Sequence, residues 1–234
     1  MAPTLRLDPP VSIFSTGRSG ALIAQETARC LHEHGVEAAV TEADSGVGAP
    51  VRWPTRGLIV LCCGGPRPEL EHALHDQAAR GGARGLPVVL EHPLLRVGPI
   101  AEAGAPCSQC LERRRRQLAR DGRVEDLWRA FHGAGGEPRG VLPHELALAA
   151  ALAVDDLTGL LDGTPARGRV RWFDVQDLRV AADHVVGVHG CPRCGGQAGP
   201  SEERTWSALS GHATAVLAER GTTGHETGAR EEAR

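Results

Sequence analysis

Residues 11 to 20 read Val-Ser-Ile-Phe-Ser-Thr-Gly-Arg-Ser-Gly. Val11 to Ser15 form a short apolar run, Thr16-Gly17-Arg18-Ser19-Gly20 breaks it, and a helical pattern follows from Ala21 to His34. An apolar run that ends in glycines and passes into helical periodicity predicts strand, tight turn and helix. Gly35 then stops the helix, and Val36 to Thr41 supplies a second strand ahead of the acidic Glu42 and Asp44. The unit is βαβ.

Working outward, a third strand is expected at Leu58 to Cys62, a helix from Glu69 to about Arg80 after Pro66, and a fourth strand at Leu86 to Leu90. Strands that are apolar throughout and alternate with helices predict a parallel sheet covered on both faces, a doubly wound α/β core. Past residue 97 the rhythm changes. Gly98-Pro99 leads to Cys107-Ser-Gln-Cys110, then to an Arg-rich helix at Leu111 to Arg120, a helical piece from Val124 to His132 and a glycine-rich loop from Gly133 to Gly140. Leu142 to Leu161 carries the strongest helical pattern, with Pro143 in its first turn and Gly163 beyond its end. Arg169 to Val175 and Leu178 to Val186 are expected to pair antiparallel and deliver the chain to Cys191-Pro-Arg-Cys194-Gly195. The expected organisation is a short extension (1–10), one α/β domain (11–200), a terminal stretch with helical pattern (201–220) and a disordered tail (221–234).

The 234 residues suffice for one domain with a real core. A net charge of −3 gives no basic excess of the kind that marks nucleic-acid binding. No stretch reaches the roughly 20 apolar residues of a membrane span, and the N-terminus lacks a signal-peptide core, so a soluble, cytoplasmic protein is expected. All 26 basic residues are Arg, since the chain has no Lys, and it has no Asn or Tyr either. No lysine can therefore hold a phosphate or form a Schiff base.

Four of the seven cysteines, Cys107, Cys110, Cys191 and Cys194, lie in two C-x-x-C pairs separated by 80 intervening residues. In a cytoplasmic chain such pairs favour a metal over disulfides. Zinc takes four tetrahedral ligands, and two C-x-x-C turns complete a closed Cys₄ site with no open position for substrate. Such a site clips distant parts of the fold together. The alternative is a redox pair or ordinary thiols. Cys30, Cys62 and Cys63 read as small buried hydrophobes, and His189 is a neighbour of the second pair that could support the site from outside or be incidental.

Gly17, Ser19 and Gly20 occupy the place where a nucleotide-binding βαβ unit carries its phosphate turn, and Glu42 or Asp44 could bind a ribose. The full G-x-G-x-x-G is missing, since Ser19 is not glycine and the residue three beyond Gly20 is Ile23. A turn that merely caps a helix is the competing reading. Arg113, Arg114, Arg115 and Arg116 form the densest charge run, either a dock for an acidic partner or a solvated helix face. Trp128, Trp172 and Trp206 are candidates for interface anchors or for core packing.

In this order, strand and glycine turn, acidic end of strand two, Gly98-Pro99 before Cys-x-x-Cys, a Gly140-Val141-Leu142 helix and a terminal Cys-Pro-x-Cys-Gly, the chain resembles the ThiF/MoeB-like, ubiquitin-activating-type adenylating enzymes over roughly residues 11 to 196. The resemblance implies a Rossmann-like domain with a structural zinc. Adenylating members also carry an Asn/Arg/Lys set over the ATP phosphates and an Asp after strand three that holds magnesium. In this chain that segment reads Cys62-Cys63-Gly64-Gly65-Pro66, with no acidic residue until Glu69. Adenylyl chemistry needs positioned cations, so the expectation is a pseudoenzyme that does not use ATP. The phrase Gly98-Pro99 to Cys107-x-x-Cys110-Leu-Glu-Arg resembles one subgroup, the ThiF-like partner proteins of YcaO cyclodehydratases, which make azoline and azole rings in ribosomal peptides (bacteriocin and related types). That resemblance implies a scaffold presenting a precursor's leader peptide to the YcaO enzyme, and commonly a symmetric dimer. Only ten residues precede the first strand, so a leader-binding clamp is expected on a separate polypeptide. Two other readings compete: an active adenylyltransferase for a sulfur carrier or a peptide C-terminus, and a nicotinamide-dependent oxidoreductase. The incomplete fingerprint and the want of a Tyr/Lys proton-transfer pair weigh against the second.

Overall fold

The computed structural model describes residues 11–43, 53–118, 126–127, 130–131, 141–164, 166–195, 210 and 214. The chain divides into two units, Met1–Gly196 and Gln197–Arg234. Within the first, strands β1 (Val11–Thr16), β2 (Ala38–Glu42), β3 (Gly57–Cys63), β4 (Ala83–Glu91), β5 (Leu94–Val97), β6 (Arg169–Asp174) and β7 (Arg179–His184) form one sheet in the order β2-β1-β3-β4-β5-β6-β7. The first four neighbours run parallel and the rest antiparallel. The helices are α1 (Gly17–Glu33), α2 (Pro68–Ala79), α3 (Ser108–Leu118) and α4 (Pro143–Leu161).

The parallel half is buried on both faces, which is why its strands are apolar throughout. Val11, Ile13, Leu58, Val60, Leu86 and Val88 pack under α1 and α4, whereas Phe14, Ile59, Leu61, Cys63 and Val89 pack under α2 with Leu74 and Ala78. Each such aliphatic side chain contributes about 1.5–3 kcal/mol on leaving water. Among the free thiols, Cys62 and Cys63 are fully buried in these layers and Cys30 is half-buried on α1.

The glycine turn differs from its expected form. Helix α1 begins at Gly17 rather than Ala21, with Gly17 at φ 73° directly after the N-cap Thr16. A Cβ on Gly20 would lie 2.6 Å from the Cys62 carbonyl oxygen and 2.9 Å from the Gly64 nitrogen. Gly20 is therefore the residue that lets α1 lie against β3, the role of the third glycine in the dinucleotide fingerprint. Counted from that position the frame is Ser15-x-Gly17-x-x-Gly20, so serine replaces the first glycine rather than the second.

Strand β5 was not expected from the sequence. It is four residues long, follows Pro93, and is held by long-range ladders to β4 and β6. Strand β2 starts at Ala38 instead of Val36. The expected helix at 124–132 falls almost wholly outside the described residues, as do Asp44, Trp128, Trp206 and nearly all of the 201–234 segment. No described helix is long and apolar enough to cross a membrane.

Candidate metal centre and the neighbouring crevice

Cys107 ends the loop before α3, and Cys110 stands in the first turn of that helix. Cys191 and Cys194 lie in a turn closed by the Gly195 N–H donating to the Cys191 carbonyl at 2.9 Å, with Gly195 at φ 76°. The fold brings the two pairs together across the 84-residue offset: Cys107 Sγ lies 3.9 Å from Cys110 Sγ and 3.7 Å from Cys191 Sγ, and Cys110 Sγ lies 3.5 Å from Cys194 Sγ. All four sulfurs fall within 4.8 Å of one another. A tetrahedral ion with metal–sulfur bonds of about 2.3 Å sets its ligands about 3.8 Å apart, whereas a disulfide needs about 2.05 Å. The spacing fits a metal ion and not a disulfide.

The surroundings fit too. Cys107, Cys110 and Cys191 are buried, Cys194 half-buried, and Val170, Val185, Leu111 and Trp172 surround them. The Val188 backbone N–H points at Cys110 Sγ at 3.3 Å, the kind of contact that stabilises a thiolate. The Cys110 thiol is drawn down to about 4, first by the hydrogen bond from the Cys107 thiol, against the raising effect of burial, and then by that N–H. His189 is exposed beside the turn, and the backbone, not its ring, supplies the contact to sulfur. Four cysteines so arranged could hold a metal ion.

The arginine run divides by partner. Arg114 donates to the carbonyls of Gly187 at 2.9 Å and Val186 at 3.4 Å, fastening the segment that leads to Cys191 onto α3. Arg115 donates to Glu91 at 2.5 Å and lies over the Trp172 ring, 5.2 Å from its centroid. Arg116 pairs with Glu112 one turn back on an exposed face, and Arg113 is half-buried. Sequence reasoning missed what Arg115 joins. Arg96 of β5, 3% exposed, meets both Glu71 oxygens at 2.9 Å, Glu91 at 2.8 Å and the Gly98 carbonyl at 2.5 Å. Burial alone would raise the Glu91 carboxyl, but the guanidinium groups of Arg96 and Arg115 outweigh it and hold it below the usual range. Arg193, inside the second C-x-x-C turn, reaches Asp76 at 2.5 Å and the His72 carbonyl at 3.3 Å, both on α2.

The sheet reverses its order between β1 and β3, and the crevice beyond the carboxyl ends of strands at such a switch point is where doubly wound folds take ligands. In this chain it is bordered by Thr16, Gly17 and Gly64. Thr16 is 2% exposed and Ser19 7%. The next acidic residues after β3 are Glu69 and Glu71, and Glu71 is engaged by Arg96.

Fold and site define a mixed α/β protein with a seven-stranded sheet, a switch-point crevice and a four-cysteine cluster. No protein-family model and no curated protein matches the chain. Solved structures share its fold. The heterocyclase TruD superposes with a TM-score of 0.54 and 22% identity over 80% of this chain and 27% of that one. A chain of the E. coli microcin synthetase McbBCD complex gives 0.58 and 11%, over 78% and 67%. E. coli MccB solved with ATP gives 0.55 and 11%, over 80% and 67%. The chain spans about a quarter of the length of TruD.

Proposed function

We propose that this chain is a non-catalytic, zinc-clasped scaffold of ThiF/MoeB-like descent that works beside a YcaO-type cyclodehydratase, presenting a precursor peptide for azoline and azole formation. The observation that carries the proposal is the four-cysteine cluster set in a fold that a heterocyclase and a microcin synthetase chain also have. A zinc ion held by four thiolates has no free position, so it fixes geometry and does not activate water. Cys107 and Cys110 would hold it from the loop before α3 and the first turn of that helix, Cys191 and Cys194 from the turn that follows β7. Val170 and Trp172 of β6 pack against these cysteines, and the β5–β6 ladder sets Trp172 opposite Arg96.

The crevice supports assignment of the nucleotide chemistry to the partner. Gly17 and Gly20 keep the backbone of a phosphate turn, but the buried carboxylate that follows β3 in the chain, Glu71, is bound to Arg96. Zinc is the cofactor of this proposal, and ATP is not.

One observation favours a second reading, that of an ATP-dependent adenylyltransferase: E. coli MccB, solved with ATP, has this fold. Titration calorimetry with ATP and magnesium separates the two. The scaffold predicts no heat of binding and co-purification with a YcaO protein. Micromolar ATP binding with pyrophosphate exchange would establish the adenylyltransferase instead.

A further inference from the structure

The two C-x-x-C turns are held by different means. Cys110 stands in helix α3, and Cys107 is tied to that helix by the Leu111 N–H, which donates to its carbonyl at 3.2 Å. The second turn belongs to no helix or strand: β7 ends at His184, and residues 185–190 carry the chain to Cys191 without regular structure. Arg114 of α3 fastens that approach at the Val186 and Gly187 carbonyls. Within the turn itself the Cys191 N–H donates to the Val188 carbonyl at 3.0 Å and the Gly195 N–H to the Cys191 carbonyl at 2.9 Å. Pro192 has no N–H to add.

Arg193, between Pro192 and Cys194, reaches out of the turn. Its Nη1 donates to the Asp76 carboxylate at 2.5 Å and to the His72 carbonyl at 3.3 Å. His72 and Asp76 stand one turn apart on α2, so both contacts fall on one face of that helix. Helix α2 is itself anchored, with Leu74 and Ala78 in the core beneath it and Glu71 bound to Arg96. The side chains of Arg193 and Asp76 are 25% and 43% exposed, and an ion pair so placed adds little to global stability. Its effect is local. A turn tethered at Arg193 keeps the Cys191 and Cys194 thiols facing Cys107 and Cys110 before any metal arrives, which lowers the ordering cost of binding. The guanidinium also stands beside a centre that becomes negative when four thiolates hold a divalent ion, and it favours that charge.

We propose that Arg193 is a positioning residue for the metal, and that its bridge to Asp76 and the His72 carbonyl on α2 sets how long the ion stays among the four cysteines. The proposal rests on the proposed metal binding by those cysteines and not on a role beside a cyclodehydratase.

The test uses the full chain, stripped of metal and reloaded with cobalt(II) or zinc. Wild type with cobalt is expected to show the sulfur-to-metal charge transfer and d–d bands of a four-thiolate site; their absence would refute metal binding by the cysteines, and this proposal with it. Arg193→Met keeps the apolar stem and removes the bridge. It is expected to give the same bands at saturation but to release zinc to a chromophoric chelator about tenfold faster or more, the range in which groups that support metal ligands act. Asp76→Asn is expected to speed release as well, and to carry the test should R193M not fold. The double variant R193M/D76N is expected to match R193M within about twofold, because Asp76 acts on the metal through Arg193. Arg193→Lys keeps a cation that can reach Asp76 and is expected to recover part of the slow release. Arg29→Met, which removes an exposed arginine pairing with Glu26 and Glu33 on α1, is expected to leave release unchanged, and metal-free R193M to keep the wild-type urea midpoint. Wild-type release from R193M, equally fast release from R29M, effects of R193M and D76N that add, or a lowered metal-free midpoint that accounts for the faster release would overturn the proposal while leaving metal binding intact.

Discussion

His75 is a neutral imidazole enclosed between α2 and the buried ion network. Burial first, then the Arg96 and His72 charges, hold its pKa down at about 3, and its Nε2 finds no hydrogen-bond partner among the described residues. The unfolded chain protonates this side chain near pH 6.5 and the folded chain does not. Stability from this group is therefore complete above about pH 6.5 and declines as the pH falls toward the folded value. Replacing His75 by Phe removes that dependence: between pH 7.5 and 5, wild type is expected to lose about 2 kcal/mol more than the variant, read from urea unfolding at each pH. Arg96 is the counterpart among the charged residues. Arg96→Met strands the Glu71 carboxylate and leaves Glu91 with Arg115 alone, and is expected to cost about 3–5 kcal/mol, visible as a lowered urea midpoint. Neither residue stood out in the sequence. The ion pair that defines the network joins Arg96 to Glu71, 25 residues away, and no local pattern encodes such a meeting.

At the scale of elements, the parallel half of the sheet was legible because each of its strands is a continuous apolar run and each helix has a local stop. The start of α1 was not, because Gly17 and Gly20 resemble a loop when they are counted as turn formers, and only the approach of α1 to Cys62 shows them inside the first turn. Strand β5 was illegible for another reason: four residues after a proline owe their extended state to the ladders on both sides. The cysteines were legible because their spacing is itself the chemistry, two short turns that each offer two thiolates. The arginine run behind them was not, since the same Arg-Arg-Arg-Arg suits a solvated face until Glu91 and the Val186 and Gly187 carbonyls are placed beside it. The clasp should accordingly be a local device. Stripping metal with a chelator is expected to speed amide exchange in Ser108–Leu118 and in residues 185–195 at least tenfold, while β1, β3 and β4 stay protected, as read by hydrogen-exchange mass spectrometry. Uniform exchange across the sheet would show that the metal holds more than α3 and the hairpin.

Over the whole molecule, the two halves of the sheet are built differently. The parallel half carries the βαβ unit and its glycine turn, with the switch point beyond Thr16 and Gly64. The antiparallel half bears the four cysteines and the Arg96 network. On the proposed reading the first half is inherited architecture and the second is where the chain meets its partners, and the chain is required for ring formation on a peptide although a partner performs the nucleotide chemistry. The direct measurement is reconstitution of the cognate YcaO cyclodehydratase with its precursor, ATP and magnesium, with and without this chain, following the loss of one water per ring by mass spectrometry. Dehydrated peptide is expected only when this chain is present, with no turnover of ATP by this chain alone. Equal dehydration in its absence would contradict the scaffold role.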